Sequence, residues 1–94
     1  MASKKTVGIL GAGAWGTAFA QALARGGCDV VLWALEDDVV QSINNEHENI
    51  RFLKGFKLDA SLRASNNIEE VAAGKDLLVI ASPSLYLAST IKKI

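Results

Sequence analysis

Thr6-Val7-Gly8-Ile9-Leu10, followed without a break by Gly11-Ala12-Gly13-Ala14-Trp15-Gly16, is the stretch on which the fold turns. The first five residues are a short apolar, β-favouring run, and beyond the glycines the composition becomes helix-like. Glycine at the first, third and sixth places gives G-x-G-x-x-G, and each one answers a different physical need. Gly11 permits a tight turn, Gly13 lets backbone amides approach a pyrophosphate, and Gly16 allows the helix to pack closely on the strand. An anion at this point rests on a helix N-terminus, where unpaired N–H groups and the macrodipole favour it. Two competing readings are a purely structural glycine turn and some other nucleotide-like ligand.

Working outward, Ala18, Phe19, Ala22 and Leu23 recur at helical spacing over residues 15–25, and Gly26-Gly27 supplies a left-handed stop. Asp29-Val30-Val31-Leu32-Trp33-Ala34-Leu35 is a second strand, nearly continuously apolar, as strands covered on both faces of a parallel sheet tend to be; Trp33 reads as core. Glu36-Asp37-Asp38 places acidic residues in the first turn of the next helix, Val39, Val40 and Ile43 form its apolar stripe, and Asn44-Asn45 closes it. Residues 46–61 have no clear period and read as a long connection whose Phe52, Leu53 and Phe56 pack down locally. Residues 62–65 form a short third strand, and Asn67 and Glu70 have the spacing of a capping box for a short helix ending at Ala73. Leu77-Leu78-Val79-Ile80-Ala81 is a fourth strand; a turn at Ser82-Pro83-Ser84 leads into a helix carrying Leu85, Ala88, Ile91 and Ile94.

Strands alternating with helices predict an α/β fold, a Rossmann-type doubly wound parallel sheet with right-handed crossovers. The whole of residues 1–94 is read as one dinucleotide-binding domain. The fourth strand looks like a central strand, apolar on both faces, and the doubly wound order places a fifth beside it. The chain therefore reads as the N-terminal part of a longer, two-domain protein whose catalytic and substrate-binding domain lies outside it.

Composition excludes other classes. Half of the 94 residues are hydrophobic and 21% are charged, which suits a folded domain rather than a disordered one. Ten Lys+Arg balance ten Asp+Glu, so nucleic acid and anionic membranes are not expected partners. Lys4 and Lys5 ahead of an apolar stretch superficially resemble a secretory leader, but the glycine spacing explains those residues better. Glycines, Thr17 and Gln21 interrupt that stretch, and no membrane span is expected. Cys28 alone forms no internal disulfide, so a reducing, cytoplasmic location is expected, and no metal site is read from any Cys/His spacing. Cys28 reads as a turn residue, His47 as a solvated loop side chain and Lys92-Lys93 as a solvated helix face.

An acidic residue near the end of strand two, about twenty residues beyond the glycines, usually holds the ribose hydroxyls of NAD. Glu36 lies twenty positions after Gly16 and has an equally good reading as a helix-dipole charge. Its carboxylate would repel a 2′-phosphate, which favours NAD over NADP. Trp15 either lines the cofactor groove or packs under its helix.

Gly8-Ile9-Leu10-Gly11-Ala12-Gly13-Ala14-Trp15-Gly16-Thr17-Ala18, Val31-Leu32-Trp33, Asn49-Ile50-Arg51-Phe52-Leu53 with Gly55, and Ala81-Ser82-Pro83-Ser84 together resemble the N-terminal domain of bacterial NAD(P)-dependent glycerol-3-phosphate dehydrogenases. The resemblance runs from about Val7 onward, and its most specific parts are Trp15-Gly16-Thr17 and Arg51-Phe52-Leu53-x-Gly55. It implies an oxidoreductase that interconverts glycerol 3-phosphate and dihydroxyacetone phosphate by hydride transfer, supplying glycerophospholipid synthesis. It further implies cofactor contacts at Ala14 and Trp15, at the strand-two end around Leu35 and Glu36, at Phe52, and at Pro83 beside the nicotinamide half. The family's catalytic lysine would lie beyond Ile94, so no catalytic residue is assigned within the chain. Leu35 stands where the family often has Arg, and Lys54 where it usually has Pro, leaving NAD against NADP open. The oligomeric state is also open, a homodimer included. Two alternatives remain: another dehydrogenase of similar architecture, of ketopantoate or opine type, and a non-catalytic NAD(H)-sensing module.

Overall fold

The computed structural model describes residues 5–81; the expected Ser82-Pro83-Ser84 turn, the helix after it and Lys92-Lys93 lie outside the described residues. Four strands, β1 (Thr6–Leu10), β2 (Asp29–Trp33), β3 (Arg63–Ser65) and β4 (Leu77–Ile80), form one parallel sheet in the order β3-β2-β1-β4. Three helices, α1 (Ala14–Arg25), α2 (Asp37–Gln41) and α3 (Ile68–Ala72), connect them. The chain steps outward from β1 to β3, then crosses back to β4 on the other side of β1. That reversal between β1 and β4 is the topological switch point of a doubly wound sheet. The residues of the leader-like stretch build β1 and α1.

Strand periodicity sorts side chains onto two faces. Val7, Ile9, Val30 and Leu32 point to one side, where they pack with Ala20 and Ala24 of α1, Val39 of α2, and Ile43. Leu10, Val31 and Trp33 point to the other, against Val71 of α3. Trp33 is core, as expected, and its indole N–H donates to the Asn66 carbonyl at 3.1 Å. Truncating a fully buried member such as Leu32 to Ala typically costs ~2–5 kcal/mol. Gly8 explains how α3 comes so close: a Cβ there would overlap the Val71 carbonyl oxygen.

Local signals place most boundaries. α1 ends at Gly26, and Gly27, at φ +98°, takes the left-handed turn. Asn67 caps α3, its side chain accepting from Glu69 N–H at 3.0 Å and Glu70 N–H at 3.3 Å. The reciprocal half of the capping box is absent, because the Asn67 N–H donates to Ser65 Oγ and Glu70 accepts from the same hydroxyl.

Three expectations need correction. Asn44-Asn45 does not close α2: the chain continues as a π-helical segment, Ser42–Glu46, and His47 closes it in the left-handed conformation, φ 56°. Asn44 is engaged elsewhere, accepting from Ala64 N–H at 2.8 Å and donating to the Ala64 carbonyl at 2.9 Å, which completes the outer edge of β3. His47 is half-buried rather than solvated, and its Nδ1 has no hydrogen-bond partner. In the long connection Phe52 and Phe56 remain exposed, and Leu58 and Leu62 enter the core instead. β4 is the last strand of the sheet among the described residues, and Leu77, Leu78 and Ile80 are exposed on it, the open side on which the doubly wound order places a fifth strand.

At the sheet end where the strands begin, Asp76 accepts from Thr6 N–H at 2.9 Å and from the Thr6 hydroxyl at 3.1 Å. The backbone bond first and then the hydroxyl hold the Asp76 carboxyl below its ordinary pKa, outweighing the opposing desolvation, with the Lys5 charge a still smaller help. A folded-state pKa below the unfolded one contributes stability that is complete above the unfolded value and is lost as pH falls through the folded value. The Asp76→Asn variant should therefore melt below the parent at neutral pH, and the gap should close on acidification below about pH 4. Thermal melts across that range check this; a pH-independent gap would refute it.

Candidate functional site

The C-terminal ends of β1 and β2 and the start of α1 converge at the switch point. Gly11, at φ 121°, turns the chain out of β1 in a conformation that side chains resist. Its N–H donates to the Trp33 carbonyl at 3.0 Å, tying the turn to the end of β2. Gly13 is the N-cap of α1, with extended backbone, and beyond its chain neighbours nothing among the described residues lies within 4 Å of where a Cβ would stand. A Cβ on Gly16 would overlap the Gly11 carbonyl oxygen and crowd Ala81 at 3.3 Å. The motif thus holds two kinds of glycine: Gly16 is packed against protein, whereas Gly13 borders open space.

The start of α1 is prepared for an anion. No side chain caps it, no acidic residue lies in its first turn, and the first amide engaged by the helix is that of Thr17, bonded to the Gly13 carbonyl at 3.0 Å. The N–H groups of the turn before it have no helical partner. Ala14 is exposed, and so is Trp15, at 63%. Trp15 does not pack under its helix. Its ring stacks flat on Phe19 one turn later, with centroids 5.4 Å apart, and leaves an apolar face beside the turn.

The register of Leu10 opposite Trp33 brings Leu35 and Glu36 to the same edge as the glycine turn. Leu35 is 60% exposed. Glu36 is the N-cap of α2 through its backbone, its carbonyl accepting from Val39 and Val40 N–H, but its carboxylate makes no capping bond. The dipole reading of Glu36 needs no such bond, so the carboxylate sits at the helix start without being tied to it by a cap.

Asn49 is the residue that sequence reasoning passed over as a site. Fully buried, it donates from Nδ2 to the Ala12 carbonyl and to Thr17 Oγ1, both at 2.8 Å, and accepts from Phe52 N–H at 3.1 Å. This fastens the Phe52 loop to the glycine turn across 37 residues of sequence. Phe52 is 39% exposed, under the Arg51 guanidinium at 5.8 Å. Arg51 also pairs with Asp38 at 3.1 Å, an exposed bridge worth ~0–1 kcal/mol. At Lys54-Gly55 the loop is held by Gly55 N–H donating to the Glu48 carboxylate at 2.8 Å. The only available signal for Asn49 was its place in the family-like segment; a polar residue in a polar connection otherwise reads as solvated.

Pro83 lies outside the described residues. A groove of about 630 Å³ runs along α2 and is lined by Asp37, Asp38, Glu46 and Arg51 among others. Its carboxylates disfavour an anion, and the glycine turn does not line it. No cluster of three or more metal-ligating side chains occurs among the described residues, and no helix there is long and apolar enough to cross a membrane.

Comparisons with known proteins agree on one family. The model of the NAD-dependent glycerol-3-phosphate dehydrogenase N-terminus matches residues 6–94. The chain is 44% identical over 88 residues to the glycerol-3-phosphate dehydrogenase [NAD(P)+] of Geobacter metallireducens, covering 94% of this chain and 26% of that protein. It is 46% identical over 88 residues to the same-named protein of Hyphomonas neptunium, again covering 94% and 26%. Among solved structures, glycerol-3-phosphate dehydrogenase from Coxiella burnetii superposes with TM-score 0.87 at 36% identity, covering 96% of this chain and 28% of that one. The Plasmodium falciparum glycerol-3-phosphate dehydrogenase gives 0.82 at 33%, covering 97% and 29%. The chain thus spans about a quarter of the length of the curated relatives it matches. With the glycine turn at the switch point and a family match over nearly its whole length, the chain belongs to the NAD-dependent glycerol-3-phosphate dehydrogenase N-terminal family.

Proposed function

We propose that this chain is the NAD(P)-binding domain of a longer glycerol-3-phosphate dehydrogenase, with residues 1–94 devoted to the dinucleotide and the substrate domain elsewhere in the polypeptide. The observation that carries the proposal is the open space at Gly13 in front of the uncapped start of α1. In this reading Gly11, Gly13, Ala14 and Trp15 receive the pyrophosphate, with Gly16 keeping α1 close enough to do so. Glu36 takes the adenosine ribose hydroxyls beside Leu35, and Phe52 and Pro83 border the rest of the cofactor. When bound, the nicotinamide supplies or accepts the hydride exchanged with glycerol 3-phosphate or dihydroxyacetone phosphate. The residues of this chain bind and orient; proton transfer is assigned to groups outside it. Balanced charge and the free Cys28 support a cytoplasmic protein that does not engage nucleic acid.

The test is to supply the full-length polypeptide with dihydroxyacetone phosphate and follow the absorbance of NADH or NADPH. Substrate-dependent oxidation is expected, faster at limiting NADH than at limiting NADPH, because the Glu36 carboxylate opposes a 2′-phosphate. Cofactor binding without substrate-dependent oxidation would favour the sensing module. Turnover confined to ketopantoate or an imine would favour the other dehydrogenase types.

A further inference from the structure

We infer that Asn49 is a positioning residue for the pyrophosphate turn, one that aims the Gly13 amide outward and makes the glycine turn and the Phe52 loop a single unit. The inference rests on the proposed dinucleotide reading and deepens it. Its starting point is the carbonyl of Ala12, which accepts from Asn49 Nδ2 at 2.8 Å and from the Thr17 hydroxyl at 3.3 Å. Both donors are buried inside the protein. No peptide bond among the described residues is cis, so the Ala12–Gly13 unit is planar and trans, and its N–H points opposite to its C=O. Drawing the Ala12 oxygen inward therefore turns the Gly13 N–H away from Asn49 and Thr17. The open space at Gly13 lies where, beyond its chain neighbours, no atom of the described residues comes within 4 Å of a would-be Cβ.

A glycine-rich turn left to itself samples many peptide orientations, because glycine lacks the Cβ that restricts φ and ψ. A ligand must then bear the cost of ordering it, and pre-organisation removes that cost. Asn49 spends both amide protons on this turn, one on the Ala12 carbonyl and one on Thr17 Oγ1. Its remaining oxygen accepts from the Phe52 amide at 3.1 Å, and its own carbonyl accepts from Leu53 N–H at 2.8 Å. One buried side chain thus holds the peptide plane of the turn and the backbone of the residue proposed to border the cofactor. Alanine at this position keeps the loop but releases both.

The experiment compares parent, Asn49→Ala and Asn49→Asp as full-length proteins, reading NADH affinity by fluorescence titration and folding by thermal melting. Asn49→Asp retains the shape and the oxygen facing Phe52 N–H while removing both donations to the turn. Loss of one or two net hydrogen bonds predicts NADH binding weakened about tenfold in each folded variant. KM for NADH should rise accordingly, and turnover should move back toward the parent value at saturating NADH. A residue needed only for folding would lower the melting temperature without raising KM in the folded fraction. Affinity within twofold of the parent in either folded variant would overturn the inference, as would failure of both variants to fold, which would make Asn49 a folding residue alone. A parent that binds no NADH would instead remove the dinucleotide reading beneath it.

Discussion

Replacing Gly16 with alanine is expected to unfold the domain or lower its stability by at least ~3 kcal/mol, the upper range for overpacking. The added methyl would overlap the Gly11 carbonyl oxygen, and Ala81 stands 3.3 Å away on the other side. The first obstacle is main chain, which cannot swing aside as a flexible side chain can. Relief requires α1 to move off the sheet, and α1 contributes Ala20 and Ala24 to the main core. Soluble yield and thermal melting of Gly16→Ala check this, and a parent-like melting temperature would show that the helix does not sit this close.

Gly13→Val carries the opposite expectation: a folded protein that no longer binds cofactor. Gly13 has φ −70° and ψ −176°, a backbone that valine adopts without strain, and beyond its chain neighbours none of the described residues stands within 4 Å of its would-be Cβ. The melting temperature should therefore shift little. The branched side chain instead fills the space proposed for the pyrophosphate, and NADH affinity should fall at least about 100-fold, or ~2.8 kcal/mol. Titration of the folded variant is the check. Parent-like affinity would mean that the glycine turn is structural, and the proposed function would lose its main support. Two glycine replacements, three residues apart in one motif, are thus expected to separate folding from binding.

Much of this architecture is legible locally. The apolar run of β1, the helical spacing of α1 with its glycine stop, and Asn67 ahead of α3 each encode an element within about a dozen residues, because period and capping are short-range properties. What was not legible depends on partners far along the chain. Gly8 reads as an ordinary strand residue until α3 is seen to bring the Val71 carbonyl against it. Asn44 reads as a helix terminator until Ala64, twenty residues later, claims both ends of its amide. Phe52 and Phe56 read as local core, since an apolar side chain in a loop carries no mark of which way it faces.

The candidate site divides in the same way. The alternation of strands and helices, hence a parallel doubly wound sheet, and the glycine turn where β1 meets α1 are written in the order of the residues alone. So are the segments that mark the family. The folded arrangement is what shows that Gly13 faces open space while Gly16 is packed, that the carboxylate of Glu36 makes no capping bond, and that Asn49 joins Phe52 to the turn. The physical reason is that period, propensity and capping act between near neighbours in the chain. Direction, burial and the pairing of a buried amide with a distant carbonyl exist only once the sheet has brought those residues together.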